Sequence, residues 1–219
     1  MTKEQSAAEA GAAAYSPKLL KLYDAAVVYA SNSLLWQCSR HVLLANYQAN
    51  LGKRHLDIGP GTGWYIDHAD PTLDSLTLLD LNPNSLHAAA STLARYEPMQ
   101  VRGNVLDPLP NTLRNLDSVG ANFLFHCVPG DWSVKGRAFG EVAKVLAPGG
   151  KFFGASILGS GVQPTLAARG VMRLYQRLGI FHNNADTVEG LREALSHSFA
   201  DVHVQVVGCA ALFQAAQPR

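Results

Sequence analysis

The stretch that decides the fold of this chain reads His55-Leu56-Asp57-Ile58-Gly59-Pro60-Gly61-Thr62-Gly63. It combines a short apolar run, an acid near the end of that run, and three glycines at alternate positions. The pattern predicts a buried strand that ends in a tight turn and leads into a helix at Trp64. Glycine suits such a turn because it accepts positive φ and lets a ligand approach the backbone. In an open α/β sheet, loops of this kind lie where ligands bind, outside the carboxyl ends of the strands.

Beyond this stretch, segments with strand and helix patterns alternate. The predicted strands cover residues 54–58, 76–79, 99–102, 118–125 and 151–157, and the predicted helices cover residues 64–69, 83–96 and 133–146. Such alternation predicts right-handed crossovers and a parallel sheet. Near the C-terminus, two further strands at 201–207 and 210–216 are separated only by Gly208 and Cys209. That connection is too short for a parallel crossover, so these two strands are predicted to form an antiparallel hairpin.

Two segments depart from the alternation. Residues 1–14 are rich in alanine and predict a flexible tail, and residues 15–51 predict an N-terminal helical cap with helices over 18–29 and 34–51. After the fifth strand, residues 159–184 form an insertion with a predicted helix over 164–178. The stretch Asp186-Thr187-Val188-Glu189 has the form of a capping box for a helix over 188–196. Residues 15–219 are predicted to be a single domain.

The composition excludes several classes of protein. A length of 219 residues fits one domain, and a net charge of +1 gives no electrostatic case for binding nucleic acid or an anionic membrane. The three cysteines stand far apart without a CxxC pair, which predicts neither a disulfide framework nor a zinc site. There is no secretory signal pattern and no apolar run long enough to span a bilayer. We therefore expect a cytoplasmic protein without metal, nucleic-acid partner or membrane association, and the oligomeric state stays open.

The glycine spacing distinguishes between families of nucleotide-binding proteins. It is Gly-x-Gly-x-Gly with an acid two residues before Gly59, and not the Gly-x-Gly-x-x-Gly of dinucleotide-binding folds. Here the chain resembles the class I S-adenosylmethionine-dependent methyltransferases of the small-molecule type. The turn Ala147-Pro148-Gly149-Gly150 and the C-terminal hairpin are also typical of that family. The resemblance covers residues 53–217 and implies an α/β, Rossmann-like open sheet of seven strands, mostly parallel with an antiparallel C-terminal hairpin strand, and helices on both faces. It implies S-adenosyl-L-methionine as cofactor and S-adenosyl-L-homocysteine as product.

Asp80 is the first predicted cofactor ligand outside the glycine loop. It lies 17 residues after Gly63, at the end of the second predicted strand. A carboxylate there has two oxygens that can accept from both ribose hydroxyls of a nucleoside. The same reasoning applies to NAD enzymes, and an acid that favours the following helix dipole is the structural alternative.

The resemblance assigns further cofactor contacts. In the family, the acid at Asp57 orients the loop and meets the methionine amino group, although a purely structural role is also open. The glycines let the backbone approach the methionine portion, and they are Gly59, Gly61 and Gly63. Asn104 stands where the family usually carries an acid for the adenine amino group, and the backbone N–H of Val105 would meet a ring nitrogen. Asparagine is also common in ordinary turns, which is the structural alternative for Asn104. Leu81 completes the predicted set at this edge.

His126 is the candidate catalytic residue. The segment Leu124-Phe125-His126-Cys127 is similar to a Leu-His-His type segment of many small-molecule methyltransferases, next to where the methyl group would lie. A histidine titrates near neutrality and suits a general base for a phenol, acid or amine. The alternative is a wall residue that packs against the cofactor. The Asn-Pro-Pro-Tyr segment of amide and base N-methyltransferases is absent, which disfavours those substrates.

The predicted substrate side combines the N-terminal cap with the insertion. Its candidate residues are Tyr15, Tyr23, Tyr29, Trp36, Arg173 and His182. Core packing is the alternative for the aromatic residues. Arg169, Arg173 and Arg177 follow one another at four-residue spacing and are therefore predicted to share one helix face. A solvated basic stripe is the alternative to a substrate contact for Arg173.

These observations predict an S-adenosylmethionine-dependent methyltransferase that transfers a methyl group to a small-molecule acceptor by in-line displacement. Three alternatives remain open: a cofactor-binding protein of this fold that catalyses a non-methylating biosynthetic step, an RNA or protein methyltransferase, and a nicotinamide oxidoreductase.

Overall fold

The computed structural model describes residues 35–219, which form one seven-stranded sheet in the order β3-β2-β1-β4-β5-β7-β6. The strands are β1 (Arg54–Ile58), β2 (Ser75–Asp80), β3 (Met99–Arg102), β4 (Leu116–Asn122), β5 (Leu146–Ile157), β6 (Phe199–Val207) and β7 (Ala210–Pro218). Strands β1 to β5 pair in parallel, whereas β7 runs antiparallel to both β5 and β6. The predicted sheet and its terminal hairpin are thereby confirmed.

Six α-helices connect or flank the strands of the described part: α1 (Arg40–Asn50), α2 (Trp64–Ala69), α3 (Pro83–Thr92), α4 (Trp132–Val145), α5 (Leu166–Arg177) and α6 (Val188–Ser198). Most of them begin at a residue whose side-chain oxygen accepts from a backbone N–H of the first turn, which satisfies a donor that the helix itself leaves unpaired. These N-cap residues are Ser39, Asn82, Asp131, Thr165 and Thr187.

Each face of the sheet carries its own apolar layer. One layer packs α4 and α6 against the sheet and includes the aromatic residues Phe125, Phe139, Phe152, Phe199 and Phe213. The other packs α1, α2 and α3 and includes Tyr47 and Phe153. Phe152 and Phe153 are neighbours in β5 and serve opposite layers because successive side chains of a strand point to opposite faces. The prediction of helices on both faces is therefore correct.

The ends of β4 and β5 differ from their predicted bounds. We predicted a strand over 118–125, but β4 ends at Asn122 because Phe123 takes a positive φ of 53°. Residues Phe125–Cys127 then form a short 3-10 turn. The strand predicted over 151–157 begins already at Leu146, and the pairing register with β4 shifts between Leu116 and Ser118. The Pro-Gly-Gly segment is thus an irregularity within β5 and does not precede it.

The predicted capping box at residues 186–189 is wrong. Thr187 is the N-cap of α6, and its hydroxyl accepts from the N–H of Gly190 at 3.1 Å. Asp186 is fully buried in an ion pair with Lys135 and does not cap the helix. Two predicted helices are also shorter in the structure. The helix predicted over 34–51 begins at Arg40, and that over 83–96 ends at Thr92 and is followed by a 3-10 turn at Ala94–Tyr96.

The flexible tail predicted for residues 1–14 and the helix predicted over 18–29 lie outside the described residues, so the assignment of residues 15–219 to one domain stays a prediction. Within residues 35–219, no helix has the length and apolar character needed to cross a membrane.

Candidate functional site

The glycine loop follows β1, between the carboxyl ends of β2 and β4. The N–H of Gly59 donates to the carbonyl of Leu79 at 2.8 Å, which fixes the start of the loop on β2. The loop glycines at 59, 61 and 63 all have positive φ, between 58° and 80°. A Cβ on Gly63 would lie 2.9 Å from Leu93, whereas one on Gly61 would meet no atom within 4 Å. The loop therefore packs tightly at its end and leaves its middle open to a ligand, which fits a group that approaches the backbone.

Asp57 lies beneath this loop and is only 2% exposed. The hydroxyl of Tyr47 donates to its Oδ1 at 3.1 Å. Burial raises the pKa of Asp57 to about 8; the bond from Tyr47 opposes this rise and the charge of Asp80 adds to it. Tyr47 is itself held by stacking on Tyr65 and by an edge contact with Phe153. The contact between Tyr47 and Asp57 is not predictable from the sequence, because nothing in the local pattern separates Tyr47 from an ordinary core aromatic residue.

Asp80 ends β2 on one side of the glycine loop. Its Oδ1 accepts from the N–H of Asn82 at 2.8 Å, so the carboxyl group supports the turn into α3. Burial raises the pKa of Asp80 to about 6, although the backbone N–H groups of Asn82 and Leu81 oppose the rise. A carboxylate has two oxygens with several acceptor positions between them. The carboxylate can serve the turn and a ligand at once.

The exit of β3 lies beside Asp80, because the N–H of Gly103 donates to the Asp80 carbonyl at 3.1 Å. Asn104 follows, and its Oδ1 accepts from the N–H of Leu106 at 3.0 Å in a local turn. The Val105 side chain is buried in the apolar layer, and the carbonyl of Leu81 accepts from the Arg102 guanidinium. The turn role of Asn104 is thus present in the structure, and the adenine contact stays a prediction. The predicted cofactor residues from β1, β2 and β3 nevertheless share one edge of the sheet.

His126 lies beyond the end of β4 and is 3% exposed. The N–H of Ile157 donates to its Nδ1 at 3.4 Å, so the neutral ring carries its proton on Nε2. Burial lowers the pKa of His126 to about 3, and the charge of Lys135 lowers it further. A ring in this state donates from Nε2 and has no free basic nitrogen. The geometry favours the wall role over the general base, and the catalytic role stays a prediction.

Aromatic side chains surround His126 on the side of the insertion. Phe181 meets its ring edge-on at 4.5 Å between centroids, and Phe181 in turn contacts Trp36 at 5.8 Å and Tyr175 at 5.1 Å. Phe123 contacts His126 from the strand side at 5.8 Å. We call these five side chains the aromatic cluster; its members are Trp36, Phe123, His126, Tyr175 and Phe181. Phe123 and Phe181 are not among the site residues predicted from the sequence.

The predicted substrate-side residues that the structure describes differ in burial and in their distance from the aromatic cluster. Trp36 is only 2% exposed and supports Phe181 from behind. His182 is half-buried next to the aromatic cluster, and burial lowers its pKa. Arg173 is exposed on α5, as Arg169 and Arg177 are, which agrees with a solvated basic stripe. The remaining three, Tyr15, Tyr23 and Tyr29, lie outside the described residues.

Comparisons with known proteins agree with this geometry. Residues 56–152 match the family model described as a methyltransferase domain. The chain is 42% identical over 207 residues to the demethylluteothin O-methyltransferase of Streptomyces thioluteus, covering 94% of this chain and 90% of that protein. It is 36% identical over 214 residues to the physcion biosynthesis cluster O-methyltransferase of Aspergillus chevalieri, with 96% of each covered. The structure of a DhpI–SAH complex superposes with a TM-score of 0.70 at 18% identity, over 96% of both chains.

The chain therefore belongs to the S-adenosylmethionine-dependent methyltransferases. The family, the enzyme class and the cofactor that the sequence implied are confirmed.

Proposed function

We propose that this enzyme transfers a methyl group from S-adenosylmethionine to an oxygen atom of a small aromatic molecule. The observation that carries the proposal is the order β2-β1-β4 at the carboxyl edge of the sheet. The glycine loop after β1 has Asp80 on one side and Leu124 on the other, since a Cβ on Gly59 would lie 3.0 Å from the Leu124 side chain. Beyond Leu124 stands the aromatic cluster. One end of the site thus suits a nucleoside and the other an aromatic acceptor.

The chain's own groups would bind and orient the cofactor. Asp80 would accept from the ribose hydroxyls, and the open middle of the glycine loop would admit the methionine portion to the backbone. Asp57 would hold the loop from below through its contact with Tyr47. Asn104 and Val105 would contact the base, with Leu81 between them and Asp80. When bound, S-adenosylmethionine supplies a methyl group already activated by the positive sulfur. The protein's main contribution is then to hold the acceptor in line, which is a large source of rate enhancement.

The choice of oxygen as acceptor atom is supported by the names of the two relatives, both O-methyltransferases, with more than 90% of this chain covered in each case. The choice of an aromatic acceptor is supported by the aromatic cluster, because aromatic rings prefer edge and offset contacts with one another. His126 would form part of the wall and present its Nε2–H to the acceptor. An acidic hydroxyl such as that of a phenol would lose its proton to solvent.

The proposal is tested with S-adenosylmethionine labelled in the methyl group and a panel of phenols, each matched to the corresponding aniline and cyclohexanol. We expect label in phenol ethers. Label in the anilines alone would move the acceptor atom to nitrogen. Tight S-adenosylhomocysteine binding without label in any product would overturn the proposal and favour a non-methylating reaction.

The role of His126 is tested with His126→Asn, since the Asn amide oxygen can still accept from the N–H of Ile157. General-base catalysis contributes about 10²–10⁴-fold to a rate. We expect turnover to fall by less than about tenfold with an unchanged pH profile, because burial already keeps the ring neutral with its Nδ1 occupied. A fall of about 100-fold or more, together with a lost pH dependence, would show that His126 is the base.

We further propose that the enzyme works in the cytoplasm without a nucleic-acid partner. The net charge of +1 and the three cysteines, all free, support this. Retention on immobilised RNA that weakens steeply with salt would contradict it.

A further inference from the structure

A fully buried ion pair lies behind the aromatic cluster. Lys135 of α4 and Asp186, two residues after the insertion, both have side chains with 0% exposure, and Nζ lies 2.6 Å from Oδ2. The same Nζ donates to the carbonyl of His182 at 3.1 Å. The ion pair between Arg54 and Asp117, by contrast, is partly exposed on both sides. The Lys135 pair therefore differs from a surface ion pair in kind.

Stability alone does not account for this pair. Moving two ions out of water costs several kcal/mol for each ion, and apolar residues of similar volume often serve the fold as well or better. Lys135 also occupies an apolar position, because it lies on the buried face of α4 with Trp132, Phe139 and Val142. An apolar residue would match its neighbours. The hydrogen bonds of the charged pair are directional. They fix the position of the segment that carries His182 and Asp186 relative to α4.

This segment is the loop of residues 181–186, which is bound at several points. The N–H of His182 donates to the His126 carbonyl at 2.7 Å. The Asn183 amide donates to the carbonyl of Ile157 at 3.0 Å and accepts from the Gln176 amide at 3.0 Å. These bonds tie the loop to the turn after β4, to the end of β5 and to α5.

The loop also has little freedom to shift. The backbone carbonyl of Asp186 accepts from the N–H groups of both Gly159 and Ser160. A Cβ on Gly159 would overlap the carbonyl of Asn183, so the two segments are in close contact. Phe181 is the first residue of this loop, and its ring lies against His126 at 4.5 Å. These contacts place Phe181 against the turn after β4, and the ion pair binds the other end of the same loop.

We propose that Lys135 and Asp186 are positioning residues that fix the loop 181–186 and thereby orient the acceptor. The inference rests on the proposed function, because that function places the acceptor at the aromatic cluster. The cofactor residues Asp57 and Asp80 belong to β1 and β2, whereas the ion pair joins α4 to the loop 181–186. Loss of the pair should disturb the acceptor and leave the cofactor in place.

The test uses the double variant Lys135→Met/Asp186→Leu, which removes both charges and leaves neither ion alone in the core. The matched control is Arg54→Met/Asp117→Leu, at the other end of β1 and β4. The measurements are thermal unfolding, S-adenosylhomocysteine affinity, kcat and KM for the phenol with the highest wild-type activity, and hydrogen exchange at the His182 amide.

We expect the double variant to keep its cofactor affinity within about twofold and to lose about 10- to 100-fold in kcat/KM, since misplacement by about 1 Å costs on the order of 100-fold. Exchange at the His182 amide should become faster, while amides of β1 and β2 keep their protection. The control should keep both kinetic constants. Lys135→Arg, which keeps the charge, should lose less of the wild-type kcat/KM than the double variant does. A folded double variant with unchanged kcat/KM and unchanged His182 exchange would overturn the proposal.

Two further outcomes stay informative. Where the double variant fails to fold, Lys135→Gln/Asp186→Asn, which removes both charges with side chains of similar size, is held to the same readouts. Where the wild-type protein transfers no methyl group, the proposed function fails. The exchange measurement still decides whether the ion pair fixes the loop, and unchanged His182 protection in either variant counts against it.

Discussion

Replacing Asp80 with asparagine should separate its two roles in the site. The Oδ1 of Asp80 accepts from the N–H of Asn82 at 2.8 Å, and an asparagine oxygen can keep that bond and the turn into α3. The other carboxyl oxygen, which would accept from a ribose hydroxyl, becomes an NH₂ group. Asp80→Asn therefore removes a charged acceptor from the ligand and leaves the local fold supported, whereas Asp80→Ala would remove both.

The expected loss follows from the kind of bond. A hydrogen bond to a charged group contributes about 1.5–3 kcal/mol. At about 1.4 kcal/mol for each factor of ten, the dissociation constant of S-adenosylhomocysteine should rise by about 10- to 150-fold. Asp74→Asn is the matched control. Asp74 is exposed and immediately precedes β2, whereas Asp80 is the last residue of that strand, so the two acids lie at opposite ends of β2. The control should change the affinity by less than about twofold, as expected for an exposed surface position.

Isothermal titration with S-adenosylhomocysteine measures the affinity, and thermal unfolding shows that both variants fold. A pH series sharpens the test. Burial raises the pKa of Asp80 to about 6, so the wild-type affinity should weaken as the pH falls through that value and the carboxylate gains a proton. Asp80→Asn should show no such change. The assignment of Asp80 to the ribose is refuted by a folded Asp80→Asn protein that binds within about twofold of wild type at neutral pH.

The remaining predictions concern the glycine loop and the acid beneath it. Gly63→Ala should lower the free energy of unfolding by about 3 kcal/mol, because its φ is 80° and the new Cβ would press on Leu93, whereas Gly61→Ala should cost only about 1 kcal/mol. Urea unfolding of both variants measures this, and equal losses would contradict it. Burial raises the pKa of Asp57 from 3.8 to about 8, so the folded state binds a proton that the unfolded chain releases, and the stability of the unliganded protein should fall as the pH rises through this range. Asp57→Asn should flatten the dependence in thermal melts, and a wild-type curve as flat as that of the variant would speak against the raised pKa.

The parts of the fold that the sequence predicts well are those with local signals. The bounds of β1 and β3 agree with prediction, because each is a short run closed by glycine or charged residues. The hairpin of β6 and β7 follows from a two-residue connection that no crossover can use. The grouping of the residues that follow β1, β2 and β3 is equally predictable, because the carboxyl ends of neighbouring parallel strands lie at the same side of the sheet.

Errors arose where a tertiary contact outweighed the local pattern. Residues 118–125 look like one continuous strand, yet the N–H of Phe123 donates to the Ala155 carbonyl with a positive φ, and the chain turns there. Asp186 looks like a helix cap, but the buried ammonium group of Lys135 takes it out of that role. One signal for this pair was present in the sequence, because Lys135 interrupts the apolar face of α4. Its partner, 51 residues further along, was not identifiable from spacing.

The two sides of the site are joined only narrowly in the described part of the chain, which bears on how the enzyme selects its acceptor. Leu124 lies against the glycine loop at Gly59, and two residues later His126 lies against Phe181. The short turn after β4 is thus a direct connection between the cofactor side and the proposed acceptor side. The cofactor side is built on the carboxyl ends of β1, β2 and β3, which the sheet holds in register. The proposed acceptor side combines Phe181 and Tyr175 of the insertion with side chains outside it, so Phe181 can change without altering the glycine loop. Substitutions at Phe181 should therefore alter KM for the acceptor while the affinity for S-adenosylhomocysteine stays constant.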